Sequence, residues 1–425
     1  MPCSTEAHVK LTANLAKKLP VNEIYKWLVT EGYFPESYVL PPCFCVSRVP
    51  GSLRPYCKHS KNSFRPKLSE CVDVHFPKTE LTDRTFGIMD PELHSDIALL
   101  IARNWKALLR TIFNPKNKVC SYSFPIPVDR KSPGQIGKLR SGRMIYEFIE
   151  MAENDIASMA YRYKYIIKTD IKNFYPSLYT HSIAWAVHGK RKVRTAKNRN
   201  NYNLIGNRLD KLFQNVNDGC TNGVPVGPAV SDFVAELVLS AVDTQISKML
   251  PKGTVVVRFK DDYRILCRTK SDGKNVVKLL QAELKNFKLE LGEGKTDISS
   301  LPNGIFRSWV SHYHSVNPKP KTYYTFRRFK EVYFSVVSID KLYAGCGVID
   351  RFLADIVTKN DRIRVKLNYK TLPKVLSLLL MLGELRVKAF PKVLAIIESI
   401  LRTSFGAEHK DDIIEHLISY LDDLS

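Results

Sequence analysis

Two adjacent aspartates interrupt an apolar-aromatic stretch in Arg258-Phe259-Lys260-Asp261-Asp262-Tyr263-Arg264-Ile265-Leu266. The flanking runs, Gly253–Phe259 and Tyr263–Cys267, are rich in β-branched and aromatic residues, which predicts two strands joined at the carboxylates. A third aspartate, Asp170, ends another β-rich run, Tyr163-Lys164-Tyr165-Ile166-Ile167-Lys168-Thr169, 91 positions before Asp261. Taken alone, an Asp-Asp pair at a turn reads as a solvated hairpin tip. Three carboxylates on neighbouring strand ends can instead hold two divalent cations, which clamp the attacking and leaving oxygens of an in-line phosphoryl displacement. Mg²⁺ suits that task because it accepts a few carboxylates and keeps positions for water and substrate phosphates.

The order of the surrounding pieces sharpens this reading. Asp170 lies in Lys168-Thr169-Asp170-Ile171-Lys172-Asn173-Phe174-Tyr175-Pro176-Ser177. Gly223-Val224-Pro225-Val226-Gly227-Pro228-Ala229-Val230-Ser231-Asp232 follows and opens an apolar helix, expected over Ser231–Leu250. Then come Phe259-Lys260-Asp261-Asp262 and Leu289-Glu290-Leu291-Gly292-Glu293-Gly294-Lys295-Thr296. This succession, over roughly 163–300, resembles the palm motifs of reverse transcriptases.

The resemblance implies an α+β right-hand polymerase. It would have fingers, an antiparallel-sheet palm, and an α-helical thumb and C-terminal region. Residues 1–165 would form an N-terminal extension and the fingers, 166–300 the palm with the catalytic motifs, and 301–425 the thumb and helical region. Asp170, Asp261 and Asp262 would be the catalytic carboxylates. Together with Ile171 they would form the metal-ligating set for two Mg²⁺ ions. Tyr175 stands where the family places an aromatic wall against a ribonucleotide 2′-hydroxyl, which implies deoxynucleotide substrates. Gly227 would lie against the nascent base pair, since glycine permits close backbone approach. Lys295 would sit near the triphosphate as charge partner or general acid. Arg140 and Arg143, with Lys138, would add triphosphate contacts from the fingers. Val226 departs from the family's usual Gln, which puts ordinary templated fidelity in doubt.

The phrase Tyr179-Thr180-His181-Ser182-Ile183-Ala184-Trp185-Ala186-Val187-His188-Gly189-Lys190, with Gly223–Pro228, narrows the resemblance. It is similar to the bacterial defence-associated, abortive-infection and unknown-group reverse transcriptases. That group implies RNA-directed or untemplated DNA synthesis in antiphage defence. It also implies a structured noncoding RNA, dNTPs and a DNA product, and a partner protein or homo-oligomer. A retron or group II intron enzyme is the alternative within the class. No Val-Thr-Gly thumb signature or terminal Cys/His module supports it. A relic nucleic-acid-binding scaffold is the alternative outside the class, and the intact Asp170, Asp261, Asp262 and Lys295 set speaks against it.

Charge agrees with a polyanionic partner. Sixty-five Lys and Arg face 42 Asp and Glu, a net +23 over 425 residues. Lys190, Arg191, Lys192, Arg194, Lys197 and Arg199 gather six of those cations without an anion, as a solvated loop or a phosphate contact would. Tyr323-Tyr324-Thr325-Phe326-Arg327-Arg328-Phe329-Lys330 interleaves rings with cations, which fits nucleic-acid stacking or a half-buried strand. Met1–Leu19 has no apolar core like that of a secretion signal, and Leu376–Leu382 is too short to span a bilayer. The expectation is a bacterial cytoplasmic protein with no membrane partner. Nine cysteines without a pairing pattern fit a reducing compartment. Cys43, Cys45, Cys57 and Cys71, with His59 and His75, lack the paired spacing of zinc knuckles and read as free thiols.

Periodicity predicts helix in 1–35, Pro91–Ile112 and Met144–Arg162, loops in 36–85, and a basic turn at Asp129–Gly134. Further helices are predicted at 348–358, 371–384, 391–402 and 411–423, as a bundle or short solenoid.

Overall fold

The computed structural model describes residues 4–36, 39–40, 43–49, 54–60, 63–78, 82–137, 141–318, 323–358, 360 and 362–424, without the side chains of 141–147 and 423–424. The chain divides into two compact units, Met1–Ile305 and Phe306–Ser425. Each builds its own apolar core.

The first unit is mixed α+β. Strands β1 (Val72–Pro77) and β2 (Asp83–Ile88) form an antiparallel hairpin. Strands β3 (Cys120–Ser121), β4 (Tyr165–Asp170), β5 (Val255–Phe259), β6 (Asp262–Cys267) and β7 (Asp297–Ser300) form one sheet in the order β3-β5-β6-β4-β7. All its pairings are antiparallel except β3 with β5. Side-chain alternation sends Ile167, Val256 and Ile265 to one face and Ile166, Val257 and Leu266 to the other. All six are at most 1% exposed. A sheet covered on both faces explains why these strands read as almost unbroken apolar runs.

The Lys270–Asn286 helix packs on β4 and β6 from one side. Ala152 and Ile156, from the Ser141–Ala157 helix, pack on the other. The Ala229–Ile246 helix runs through the main core with apolar residues on all sides, the pattern of a central helix. Pro228, at φ −63°, sets its start, two residues before the expected one.

Several expectations are corrected. The 36–85 loop region contains β1, and β2 follows directly. Phe76 and Phe86 are the only buried hydrophobic side chains of this hairpin, so the alternation is too weak to see in sequence. The expected Pro91–Ile112 helix is two helices, Pro91–Arg103 and Trp105–Ile112, broken at Asn104. Trp105 there turns inward to stack on Phe233 at 5.4 Å and donates its indole N–H to Ala16 O at 2.8 Å. The helix of 1–35 is likewise two, Ser4–Ala16 and Val21–Val29, separated by Pro20. The turn at Asp129 forms as read, with Asp129 Oδ1 accepting from the Lys131 and Ser132 N–H groups.

The second unit is helical: Ser308–Val316, Phe326–Leu342, Val348–Asp355, Leu372–Leu385, Phe390–Leu401, Ser404–Glu408 and Lys410–Leu424. Pro373 and Pro391 occupy first-turn positions, where the missing N–H costs nothing. The ring-and-cation stretch is not a strand, because the Phe326–Leu342 helix begins inside it. Phe329 is buried and Arg327 faces water, as helical spacing separates them. Among the described residues, no helix is long and apolar enough to cross a membrane.

Candidate active site

Antiparallel pairing does the assembling. Asp170 is the last residue of β4, Asp262 is the first of β6, and the two are directly opposed. Asp261 lies in the β5–β6 turn, where Lys260 takes a left-handed φ of 49°. The Ile171 N–H donates to the Asp261 carbonyl at 3.2 Å, so the turn is tied to the chain leaving β4. Residues far apart in sequence thus meet at one sheet end. Lys295 reaches the same place, with its ammonium 2.5 Å from Asp170 Oδ2. It is carried by the segment after Gly292, whose N–H donates to the Asp170 carbonyl at 2.8 Å. A Cβ at Gly292 would stand 2.4 Å from Asp170 Oδ1, so only glycine leaves the carboxylate its position.

The electrostatics are those of crowded anions. Burial, then the charge of Asp170, pushes Asp261 above the usual carboxylate range. Asp262 keeps an edge in solvent, yet surrounding chain and the charges of Asp261 and Asp170 push it up to about 6. The hydrogen bond to Asp170 raises Lys295. Among the described residues, no three His, Cys, Asp or Glu side chains converge closely enough to enclose an ion as they stand. The donor set nevertheless fits one. Asp170 Oδ1 is buried without a hydrogen-bond partner. The Lys295 side chain on its other oxygen is 73% exposed and free to leave. Three mutually repelling carboxylates are relieved by a cation. The cysteines at 43, 45, 57 and 71 are free thiols.

A buried frame beneath the turn was not singled out in the sequence reading. Arg258 is 0% exposed and donates to Glu236 at 2.8 and 2.9 Å, to Asp243 at 2.8 Å and to the Lys260 carbonyl at 3.1 Å. Tyr263 donates to Asp243 at 2.9 Å and Ser121 to Glu236 at 2.7 Å. Burial opposes the Arg258 charge, but Asp243 and Glu236 outweigh it and hold the guanidinium protonated. The Arg258 bond to the Lys260 carbonyl fixes the backbone just before Asp261. The available signal was two acids, Glu236 and Asp243, seven residues apart in the interior of a largely apolar helix.

Tyr175 stands beside this turn. It lies on a short helix, Phe174–Ser177, because Asn173 at φ 44° turns the chain out of extended geometry. Phe174 is buried in the core. Tyr175 donates its hydroxyl to Asp232, and Lys260 Nζ is 3.3 Å from the same Asp232 oxygen. Burial, then the Asp232 charge, raises the phenol well above its ordinary range, so it stays a donor.

The glycine turn is packed more than it is open. A Cβ on Gly227, at φ 121°, would meet Pro35 at 2.8 Å. Val226 joins an apolar cluster with Val39, Phe76 and Phe86, and its carbonyl accepts from the Gly87 N–H at 3.0 Å. The β1–β2 hairpin therefore docks on this turn, and the valine where the family has Gln serves that docking.

The cation run forms two short helices, Lys190–Val193 and Ala196–Arg199. Lys190 is partly spent, donating to Asn286 O at 2.8 Å and lying 4.3 Å over the Trp185 ring. Arg191, Lys192, Arg194, Lys197 and Arg199 are exposed. Lys190, Arg194 and Arg199 line a groove of about 670 Å³ with Lys211, Lys288, Tyr179, Trp185 and a His181–Asp210 pair at 2.5 Å. The sequence reading missed Lys211, which joins the groove from the Ile205–Asn215 helix, and Lys288, which joins it from the turn after the Lys270–Asn286 helix. Lys138 and Arg140 lie outside the described residues. Arg143 is on the Ser141–Ala157 helix with its side chain outside them.

No curated protein matches the chain. Among solved structures it is similar to apo telomerase from Candida tropicalis, with a TM-score of 0.40 and 13% identity over 83% of this chain and 69% of that one. It is also similar to the telomerase of Candida albicans in complex with a TWJ fragment of telomeric RNA, with a TM-score of 0.33 and 12% identity over 85% of this chain and 66% of the other. Residues 123–327, which span β4 to β7 of the sheet, the aspartates and Lys295, match the reverse transcriptase (RNA-dependent DNA polymerase) family. The chain therefore carries a reverse transcriptase domain, and with it the enzyme class of an RNA-directed DNA polymerase, a nucleotidyltransferase.

Proposed function

We propose that this chain extends DNA from dNTPs with two Mg²⁺ ions held by Asp170, Asp261 and Asp262, and that it does so in bacterial antiphage defence with a structured RNA as partner. The observation that carries the chemistry is the opposition of Asp170 and Asp262 across β4 and β6, with Asp261 in the adjoining turn and Lys295 on Asp170. Divalent ions bound there supply activation of the primer 3′ oxygen and neutralise charge on the leaving pyrophosphate. The rest falls to the chain's own groups. Asp170 offers its unpartnered Oδ1 toward the site, and Arg258 holds the turn that presents Asp261 and Asp262. Lys295, on an exposed stem, turns from Asp170 to the triphosphate and gives its proton to the leaving group. The Tyr175 ring walls off a 2′-hydroxyl.

The 1–165 region is proposed as extension and fingers, 166–300 as palm, and 301–425 as thumb. The defence role rests on the Tyr179–Lys190 and Gly223–Pro228 phrases. The RNA partner rests on those phrases, the +23 charge and the exposed Arg191–Arg199 cations. A cytoplasmic setting accompanies this reading.

The test uses the purified full chain with its bound nucleic acid. DNA synthesis with Mg²⁺ and dNTPs is expected from the native protein and not from Asp261→Asn or Asp170→Asn, since an amide cannot replace a carboxylate's charge on a divalent ion. Undiminished synthesis by either variant sinks the site. In a bacterial host challenged with phage, the same substitutions are expected to abolish protection; protection by an inactive variant, or none by the native chain, removes the defence role.

A further inference from the structure

Asp232 ties together three elements that meet beside the reaction centre. It sits in the first turn of the Ala229–Ile246 helix, where the helix dipole favours a carboxylate. Its Oδ1 accepts the Tyr175 hydroxyl and lies 3.3 Å from Lys260 Nζ. Lys260 is the residue before Asp261, and its ammonium stands 6.0 Å from the centre of the Tyr175 ring. One carboxylate thus joins the aromatic after β4, the helix after the glycine turn, and the aspartate turn itself.

The backbone at Tyr175 is held separately. The Val224 N–H donates to the Tyr175 carbonyl at 3.0 Å, so the main chain is fixed whatever the side chain does. The ring is a different matter. Beside it lies a small cavity of about 20 Å³, lined by Phe174, Phe148, Phe259 and Lys260 among others. A ring held only by packing has slack to turn there. A ring whose hydroxyl is bonded to Asp232 does not. Burial and the neighbouring charge keep that hydroxyl protonated, so the bond persists across the working pH range.

We infer that Asp232 is a specificity-determining positioning residue: by accepting the Tyr175 hydroxyl beside Lys260, it locks the ring in place as the wall that excludes ribonucleotides. This rests on the reading of Tyr175 as the sugar gate and adds that phenylalanine's ring alone is not a sufficient gate in this chain. Lys260 offsets the Asp232 charge, so the lock is not a bare anion beside an incoming triphosphate.

The experiment measures kcat/KM for matched deoxy- and ribonucleotides in the purified full chain carrying its native nucleic acid. Tyr175→Phe, Asp232→Ala and Asp232→Asn are compared with Tyr175→Ala. Tyr175→Phe and Asp232→Ala are each expected to lower the deoxy-to-ribo ratio several-fold, chiefly through a lower KM for the ribonucleotide. Asp232→Asn, whose amide oxygen still accepts the hydroxyl, is expected to retain most of the ratio. The Tyr175→Phe/Asp232→Ala double variant should be no less selective than either single, because both remove one bond. If Tyr175→Ala collapses the ratio while Tyr175→Phe leaves it unchanged, the gate stands and the lock is refuted. If Tyr175→Ala itself changes nothing, the gate reading fails and the lock with it. Tyr175→Phe changes no packing volume, so the test survives a failure of Asp232→Ala to fold.

Discussion

Replacing Arg258 with methionine tests whether the reaction centre rests on a buried ionic frame. The guanidinium and the Asp243 carboxylate are 0% exposed, and Glu236 is 3% exposed. Methionine fills similar volume but leaves two carboxylates in the core with no cation between them. Breaking a buried pair in this way costs about 3–5 kcal/mol, because the abandoned charges are not rehydrated. For a unit of some 300 residues that corresponds to a fall in melting temperature of roughly 5–8 °C. The loss should depend on pH. Burial pushes Asp243 up to about 6 even beside Arg258, and without the guanidinium it rises further. A carboxylate whose pKa is raised by folding contributes stability at low pH, which is lost as pH rises through the folded value. Methionine at 258 should therefore be least harmful near pH 5 and most harmful above pH 7. Neutralising the acids as well, with Glu236→Gln and Asp243→Asn, should recover part of the loss. DNA synthesis should also fall beyond what the folded fraction explains, since the Lys260 carbonyl loses its donor and the aspartate turn is released. Thermal melts across pH 5–8, beside primer extension at a temperature where every variant is folded, measure both effects. An unchanged melting temperature, or further destabilisation when the acids are neutralised, would refute the reasoning.

Gly292→Ala should cut DNA synthesis by about a hundredfold while RNA retention is kept, because its Cβ would stand 2.4 Å from Asp170 Oδ1 and push the carboxylate aside; native-level primer extension would show that the carboxylate can move at no cost. The Mg²⁺ concentration needed for half-maximal synthesis should climb as pH falls below about 6, since Asp262 must shed a proton to bind metal. The same raised pKa means the metal-free protein loses stability as pH rises from about 4 through about 6, and melts of Asp262→Asn should lack that contribution. Replacing Arg194, Arg199 and Lys211 with alanine should weaken RNA retention and flatten its logarithmic salt dependence by roughly 0.7–0.9 per lost phosphate contact; an unchanged slope would make this groove a solvated surface.

The placement of the aspartates was legible in the linear chain because each sits at a strand end or turn that its neighbours announce. β-branched runs around Asp170 and the Asp261-Asp262 pair define strands by local preference, and a carboxylate at the end of such a run needs no distant information to be noticed. Four helices of the second unit, Val348–Asp355, Leu372–Leu385, Phe390–Leu401 and Lys410–Leu424, were equally plain, since apolar spacing and the first-turn prolines Pro373 and Pro391 are local signals. Elements whose form depends on partners were not legible. The β1–β2 hairpin buries only two large side chains, Phe76 and Phe86, and leans on the Val226 turn for support, so its strands lack a pattern of their own. Phe326 opens a helix whose opposite sides take Phe329 and Arg327, and their alternation in sequence mimicked a strand.

At the site, tertiary structure decided what local sequence could not carry. Strand register set Asp170 opposite Asp262, and close packing made Gly292 obligatory. The buried union of Arg258 with Glu236 and Asp243 gave the aspartate turn its foundation. Residue type and spacing determined which groups the chain could offer a nucleotide. Which of them meet, and which are spent holding the others in place, depended on contacts between segments distant in the chain, such as Lys295 on Asp170, 125 residues apart. The physical reason is that charge and hydrogen-bond partnership act through space over a few ångströms, whereas helix and strand preference acts along the chain over a few residues.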